Sequence, residues 1–303
     1  MTPQADSAAT DTHQRARLGV VLTASFFGFF AHTGFLLALE EAGLEYDCIS
    51  GTSAGALVAA LSASGLRARE IAGLLAELRP HDFWDAPSLL SSVKSLLAGG
   101  RGWTGYLRGE RMESLLNEHL RARRFEECRA RLYITALNLS EGREETFTSG
   151  EIARAVRASC SYPFLISATE IDGAYYWDGG FITKTPLEEM VSRERPERVL
   201  IHYVPMRDDL KPRNFLERRG SALHILERAL AVLRVEIEAH RRRALASYAG
   251  RVDWVTAADL PPVKARTLEG GREAMEAAYE NACRYLRSAD LDPALTTVSA
   301  TSG

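Results

Sequence analysis

Between an apolar run that ends at Ile49 and a helix-forming run that starts at Ala54, the chain reads Gly51-Thr52-Ser53-Ala54-Gly55. A strand that turns into a helix through two glycines and one serine has few structural solutions. The glycines permit a sharp turn and close backbone approach, leaving the Ser53 hydroxyl at the tip, as a G-x-S-x-G nucleophile elbow requires. The helix that follows aims its first N–H groups and its dipole at the same point, where negative charge on a reacting oxygen is favoured. The bland alternative is a plain Gly/Ser turn; the flanking strand and helix argue against it.

The surroundings repeat the alternation. Leu18–Leu22 reads as a buried strand, Gly34–Ala42 as a helix stopped by Gly43, Tyr46–Ile49 as a second buried strand, and Ala54–Ser64 as a helix ending at Gly65. This order predicts an α/β fold with a central, mostly parallel sheet and helices on both faces. Later strands are expected at Leu132–Leu139, Glu144–Thr148, Ser167–Ile171, Ala174–Trp177, Val199–Val204 and Val252–Thr256, with Asp172-Gly173 as a hairpin turn. Residues 1–16 and 289–303 read as flexible tails around a single domain, 17–288. Within it, 66–131 is mostly helical, broken at Arg79-Pro80 and Gly99-Gly100, and is placed as a cap; 215–288 supplies C-terminal helices. Leu223, Leu226, Leu230, Leu233 and Ile237 form a stripe on a long helix, read as packing on the protein's own core rather than as an oligomer seam.

Composition excludes several classes. With 46% hydrophobic and 25% charged residues the chain can bury a full core, and a net charge of -3 gives no global drive toward nucleic acid. Cys48, Cys128, Cys160 and Cys283 are scattered without a CxxC pair and read as reduced thiols, and the seven histidines show no HExxH; no metal is expected. There is neither a secretory leader nor an apolar run near the roughly 18 residues of a membrane span, so a cytoplasmic protein is expected, touching membranes only peripherally.

A serine hydroxyl needs a positioned base. Asp178 follows an apolar strand end and precedes Gly179 and Gly180, so a tight turn can leave its oxygens free to take the Ser53 proton; an Asp-Gly turn without a catalytic role is the bland alternative.

"GTSAGAL" at Gly51–Leu57, "DGG" at Asp178–Gly180, "ASCSYPFLI" between them and "FAHTGFLLALEEAGL" in the first helix together resemble the patatin-like phospholipase family over residues 17–205. The resemblance implies a Ser53–Asp178 dyad without histidine, an acyl-serine intermediate, no cofactor, and phospholipid, lysophospholipid or other acyl ester substrates. It also implies an oxyanion hole built by the loop after the first strand. There the family has Gly-Gly-Gly-x-Arg/Lys-Gly, and this chain has Thr23-Ala24-Ser25-Phe26-Phe27-Gly28, without the basic residue; Lys184 stands where the family has Asn. Backbone donors are expected at Ala24, Ser25, Phe26, Gly28 and Ala54, and Phe26, Phe27, Phe29 and Phe30 are candidates to line an acyl channel or to be core. Non-glycine residues can serve in the loop if φ is negative and are strained if it is positive.

Three rivals remain: an α/β-hydrolase triad using His202, His224 or His240, a histidine-dependent acyl-carrier transacylase, and a weakly catalytic lipid-binding or scaffold protein with this fold. Arg121, Arg123, Arg124, Arg129 and Arg131, with Arg241–Arg243, could meet anionic headgroups or be solvated helix faces.

Overall fold

The computed structural model describes residues 17–85, 104–205, 222–245 and 248–289, with residues 222–228 described by their backbone alone. Its strands are β1 (Leu18–Leu22), β2 (Cys48–Thr52), β3 (Gly105–Leu107), β4 (Arg131–Asn138), β5 (Arg143–Phe147), β6 (Phe164–Ile166), β7 (Thr169–Ile171), β8 (Ala174–Asp178), β9 (Arg198–Tyr203) and β10 (Arg251–Thr256). The helices are α1 (Phe29–Glu41), α2 (Ala54–Ala63), α3 (Ala68–Glu77), α4 (Pro80–Phe83), α5 (Glu110–His119), α6 (Ile152–Ser159), α7 (Glu188–Glu194), α8 (Ala222–Ala244) and α9 (Gly271–Ser288).

The main sheet runs β10-β9-β1-β2-β4-β8-β7, with β5 also paired to β4. From β10 to β4 every pairing is parallel; β5 and β8 join β4 antiparallel, and β7 joins β8 antiparallel. All five residues of β1 are buried, because parallel strands are covered on both faces. Leu18, Val20 and Leu22 enter one core with Phe35 and Leu39 of α1, Leu61 of α2 and Ile71 of α3. Val21 faces the other way, into a smaller core with Met190 of α7 and Ile201 of β9. Fully buried side chains such as Phe35 and Ile71 each stabilise the fold by about 1.5–3 kcal/mol relative to exposure.

Several boundaries differ from the expectation for reasons that bear on the site. Helix α1 starts at Phe29, five residues before Gly34, since Phe29 through Leu36 are buried all round and show no amphipathic period. Strand β2 is shifted to Cys48–Thr52: Gly51 and Thr52, read as turn, pair with Ile134 and Thr135 of β4. The expected strand Ser167–Ile171 is broken at Ser167-Ala168, with β6 pairing β3 in a separate two-stranded sheet and β7 joining the main one. Asp172 and Gly173 both have positive φ, 50° and 82°, the conformation that a two-residue hairpin loop requires. In α8, Leu230 and Ile237 are half-buried but Leu233 is 57% exposed, so the stripe is not uniformly core; the Leu223 and Leu226 side chains, Gly99-Gly100 and both tails up to 16 and beyond 289 lie outside the described residues.

The register delivers the site. Thr52 lies beside Thr135 of β4, and Asp178, arriving antiparallel on β8, lies beside Ala136. The residue after Thr52 and the last residue of β8 therefore meet at the same level of the sheet.

Candidate active site

Ser53 sits between β2 and α2 with φ 55° and ψ -123°, a backbone region costly to an L-residue by about 1–3 kcal/mol. Such a turn projects the side chain away from the strand, and its tightness leaves no room around the flanking glycines. A Cβ on Gly55 would lie 2.1 Å from the Leu22 carbonyl oxygen, and one on Gly51 would lie 2.4 Å from the Gly55 carbonyl oxygen. Across the site, Gly179 faces the Thr135 carbonyl and Gly180 faces the Ala24 methyl with as little space.

Ser53 Oγ donates to Asp178 Oδ2 at 2.6 Å, and Gly180 N–H donates to Asp178 Oδ1 at 2.7 Å. Asp178 is 3% exposed. Burial raises its pKa from 3.8 to about 6, opposed by the Ser53 and Gly180 hydrogen bonds and by the positive charge of Arg234. A carboxylate that titrates near 6 and touches a serine hydroxyl has the geometry and the basicity of a general base.

No described histidine intervenes. His202 is buried against His32, Nδ1 to Nδ1 at 2.8 Å, and stacks on Phe35; His240 is exposed on α8, and the side chain of His224 lies outside the described residues. His32 Nε2–H donates to the Thr23 carbonyl at 2.8 Å. Burial holds the pKa of His32 down at about 4 and that of His202 well below the imidazole range, so both are neutral near pH 7. In that state His202 Nδ1–H donates to His32 Nδ1. The pair lies under the start of the 23–28 loop, which is further tied down by Thr23 Oγ1 to the His202 carbonyl at 3.0 Å and Val204 N–H to Thr23 Oγ1 at 3.1 Å.

Within that loop Phe27 alone has positive φ, 56°, while Gly28 is at -67°. Thr23, Ala24 and Ser25 hold their backbone without the strain that would demand glycine. Ala24 does not serve as an oxyanion donor, because its N–H is bonded to the Lys184 carbonyl at 2.8 Å. Gly28 caps α1, and its missing side chain is taken up by the Ser25 hydroxyl, 1.6 Å from where a Cβ would stand. Ser25, Phe26 and Ala54 line one cavity with Ser53 and Asp178, and their N–H groups meet no acceptor among the described residues.

That cavity, about 110 Å³, is apolar. Phe26, Phe27, Phe29 and Leu57 form one wall, Leu78, Phe83, Trp84, Met112 and Leu115 of the 66–131 region another, and Cys160, Tyr162, Leu165 and Ile166 a third. Phe30 is not part of it; its ring packs on Gly271 of α9 in the core. The sequence reading placed 66–131 as a cap and singled out the segment from Ala158 to Ile166, but not which of their residues face the cavity, since isolated apolar residues on separate elements carry no local signal.

Most of the arginines singled out in the sequence are paired with carboxylates. Arg121, Arg124, Arg129 and Arg131 pair with Glu70, Glu126, Glu45 and Glu194, and Arg241 pairs with Glu144 and Glu188. Among the described residues no group of three or more His, Cys, Asp or Glu could hold a metal ion, and no helix is long and apolar enough to cross a membrane.

A family model described as patatin-like phospholipase matches residues 20–191, more than half of the chain. A lysophospholipase NTE1 of Candida glabrata is 29% identical over 178 residues, which is 58% of this chain and 10% of that protein. The chain thus matches only about a tenth of the length of that relative. Uncharacterized protein YqhO of Bacillus subtilis is 29% identical over 223 residues, 66% of this chain and 76% of the other. Among solved structures, VipD from Legionella pneumophila matches with a TM-score of 0.49 at 16% identity, covering 90% of this chain and 67% of that one.

Proposed function

Because the chain belongs to the patatin-like phospholipase family, we propose that it is a serine lipid acyl hydrolase acting through Ser53 and Asp178, with phospholipids, lysophospholipids or related acyl esters as substrates. The observation that carries the proposal is the 2.6 Å hydrogen bond from Ser53 Oγ to a buried carboxylate at an apolar cavity.

In the first half-reaction Asp178 takes the Ser53 proton as Oγ bonds to the ester carbonyl carbon. The oxyanion faces the Ser25, Phe26 and Ala54 amides and the N-terminus of α2. Collapse breaks the ester C–O bond, and the departing alcohol takes the proton from Asp178, leaving an acyl-serine. Water then attacks that acyl carbon and gives its proton to Asp178; collapse releases the acid, and the proton returns to Ser53 Oγ. No cofactor enters the cycle. The 66–131 walls act as the cap that keeps the acyl chain from water. Thr23, Ala24 and Ser25 have no positive φ, which supports a working loop over the weakly catalytic scaffold reading.

The test is release of acid from p-nitrophenyl esters and mixed phospholipid micelles by wild type, Ser53→Ala and Asp178→Asn. Both variants should be inactive and folded; wild-type turnover by either rejects the dyad.

A further inference from the structure

The segment Ala158-Ser159-Cys160-Ser161, at the end of α6, touches both members of the dyad, which are 125 positions apart in the chain. Ser53 N–H donates to Ser159 Oγ at 2.9 Å, and Cys160 Sγ–H donates to the Ser53 carbonyl at 3.2 Å. One residue further, the Ser161 carbonyl accepts the Asp178 N–H at 3.0 Å. Three consecutive residues thus hold the nucleophile by both of its peptide groups and the base by its backbone.

We propose that Ser159, Cys160 and Ser161 are positioning residues, a clamp that keeps Ser53 in its strained backbone conformation and sets the spacing between Ser53 Oγ and Asp178. The proposal rests on the dyad assigned above. A serine at φ 55°, ψ -123° persists only where its surroundings over-determine it. The rest of the support on its C=O is one helical hydrogen bond, Leu57 N–H at 3.2 Å, and on its N–H the support is Ser159. Ser159 is fully buried, and its single proton goes to the Thr135 carbonyl at 2.6 Å, so a lone pair is left facing Ser53. Thr135 is the residue that pairs with Thr52 across β2 and β4, so the clamp is referenced to the strand that delivers the elbow. Ser161 is equally buried. Its hydroxyl donates to the Arg157 carbonyl at 2.9 Å and accepts from Thr169 Oγ1 at 2.9 Å, tying α6 to β7, the neighbour of β8. Burial and the nearby Asp178 charge hold the Cys160 thiol protonated, as a donor to the Ser53 carbonyl must be.

The test compares wild type, Ser53→Ala, Ser159→Ala, Ser159→Thr and Cys160→Ala in three readouts: the rate of fluorophosphonate labelling at Ser53, kcat and KM for p-nitrophenyl butyrate, and the pH–rate profile. Ser159→Ala should lower kcat and labelling by up to about a hundredfold, the scale of a misplaced reacting group, with KM unchanged. Ser159→Thr, which keeps the hydroxyl, should recover most of the rate. The acid limb of Ser159→Ala should move to higher pH, because Asp178 loses the Ser53 hydrogen bond that holds its pKa down. Cys160→Ala should move all three readouts the same way by less, and it decides the matter if Ser159→Ala does not fold. Labelling and turnover at wild-type rates would overturn the clamp, as would a loss that Thr does not recover and that leaves the acid limb in place. Wild-type turnover by Ser53→Ala would instead reject the dyad itself, and the clamp with it.

Discussion

Replacing Asp178 by Asn should abolish turnover and at the same time stabilise the protein at neutral pH. An unfolded aspartate titrates near pH 3.9, whereas Asp178 in the fold titrates near 6. Between those values the folded protein binds the more protons, so wild-type stability falls as pH rises from about 4 to about 6 and is level above that. This is the reverse of a salt-bridged carboxylate. At about 1.4 kcal/mol per pH unit, holding the charge inside the fold costs about 3 kcal/mol. Asparagine carries no charge, its oxygen can still accept the Gly180 N–H, and its amide can donate to Ser53 Oγ. The variant should therefore match wild type near pH 4 and exceed it by up to about 3 kcal/mol near pH 8. With an m-value of about 3 kcal/mol/M, that is a shift of about 1 M in the urea midpoint. Equilibrium urea unfolding of both proteins across this range is the assay. A variant equal to or weaker than wild type near pH 8, with the same gap near pH 4, would refute the burial argument for Asp178.

Three further outcomes are expected. Since Asp178 must be ionised to take a proton, kcat/KM should rise with pH through about 6 and then level; an acid limb near 4 would mean that the base is not the buried carboxylate. The 110 Å³ cavity is smaller than the ~150 Å³ that admits benzene, so p-nitrophenyl butyrate should be turned over faster than the palmitate ester. Phe26→Ala, which removes a 58% exposed ring at the cavity rim, should move the optimum to longer chains; a palmitate optimum in both proteins would count against the cavity as the acyl site. Ala24→Gly and Ser25→Gly should not raise activity, because neither position has positive φ, and each should lower stability by about 0.5–1 kcal/mol in thermal unfolding. A faster enzyme would show that Ala24 or Ser25 is strained after all.

The phenylalanine-rich loop shows where reading a sequence succeeds and where it stops. Its position after β1 follows from local pattern, and so does the elbow, because a strand, two glycines and a helix are contiguous. Which of its amides are free does not follow: Ala24 is spent on Lys184, 160 positions along the chain, and His32, which bonds the Thr23 carbonyl, is itself met by His202 arriving on β9. The start of α1 was hidden for the same kind of reason. A helix buried on all sides carries no amphipathic period, and its extent is set by the elements packed around it.

Sequence by itself determined the α/β alternation, the elbow at Ser53, the Asp178-Gly179-Gly180 turn and the Asp172-Gly173 hairpin, all of which are consequences of short-range sterics and periodicity. Tertiary structure decided the 2.6 Å contact between Ser53 and Asp178, that Phe30 is core while Phe26 stands at the cavity rim, and that Ser159 to Ser161 hydrogen-bond to both Ser53 and Asp178. Those facts depend on strand register and on burial, which sum contacts between residues far apart in the chain. No local window contains them.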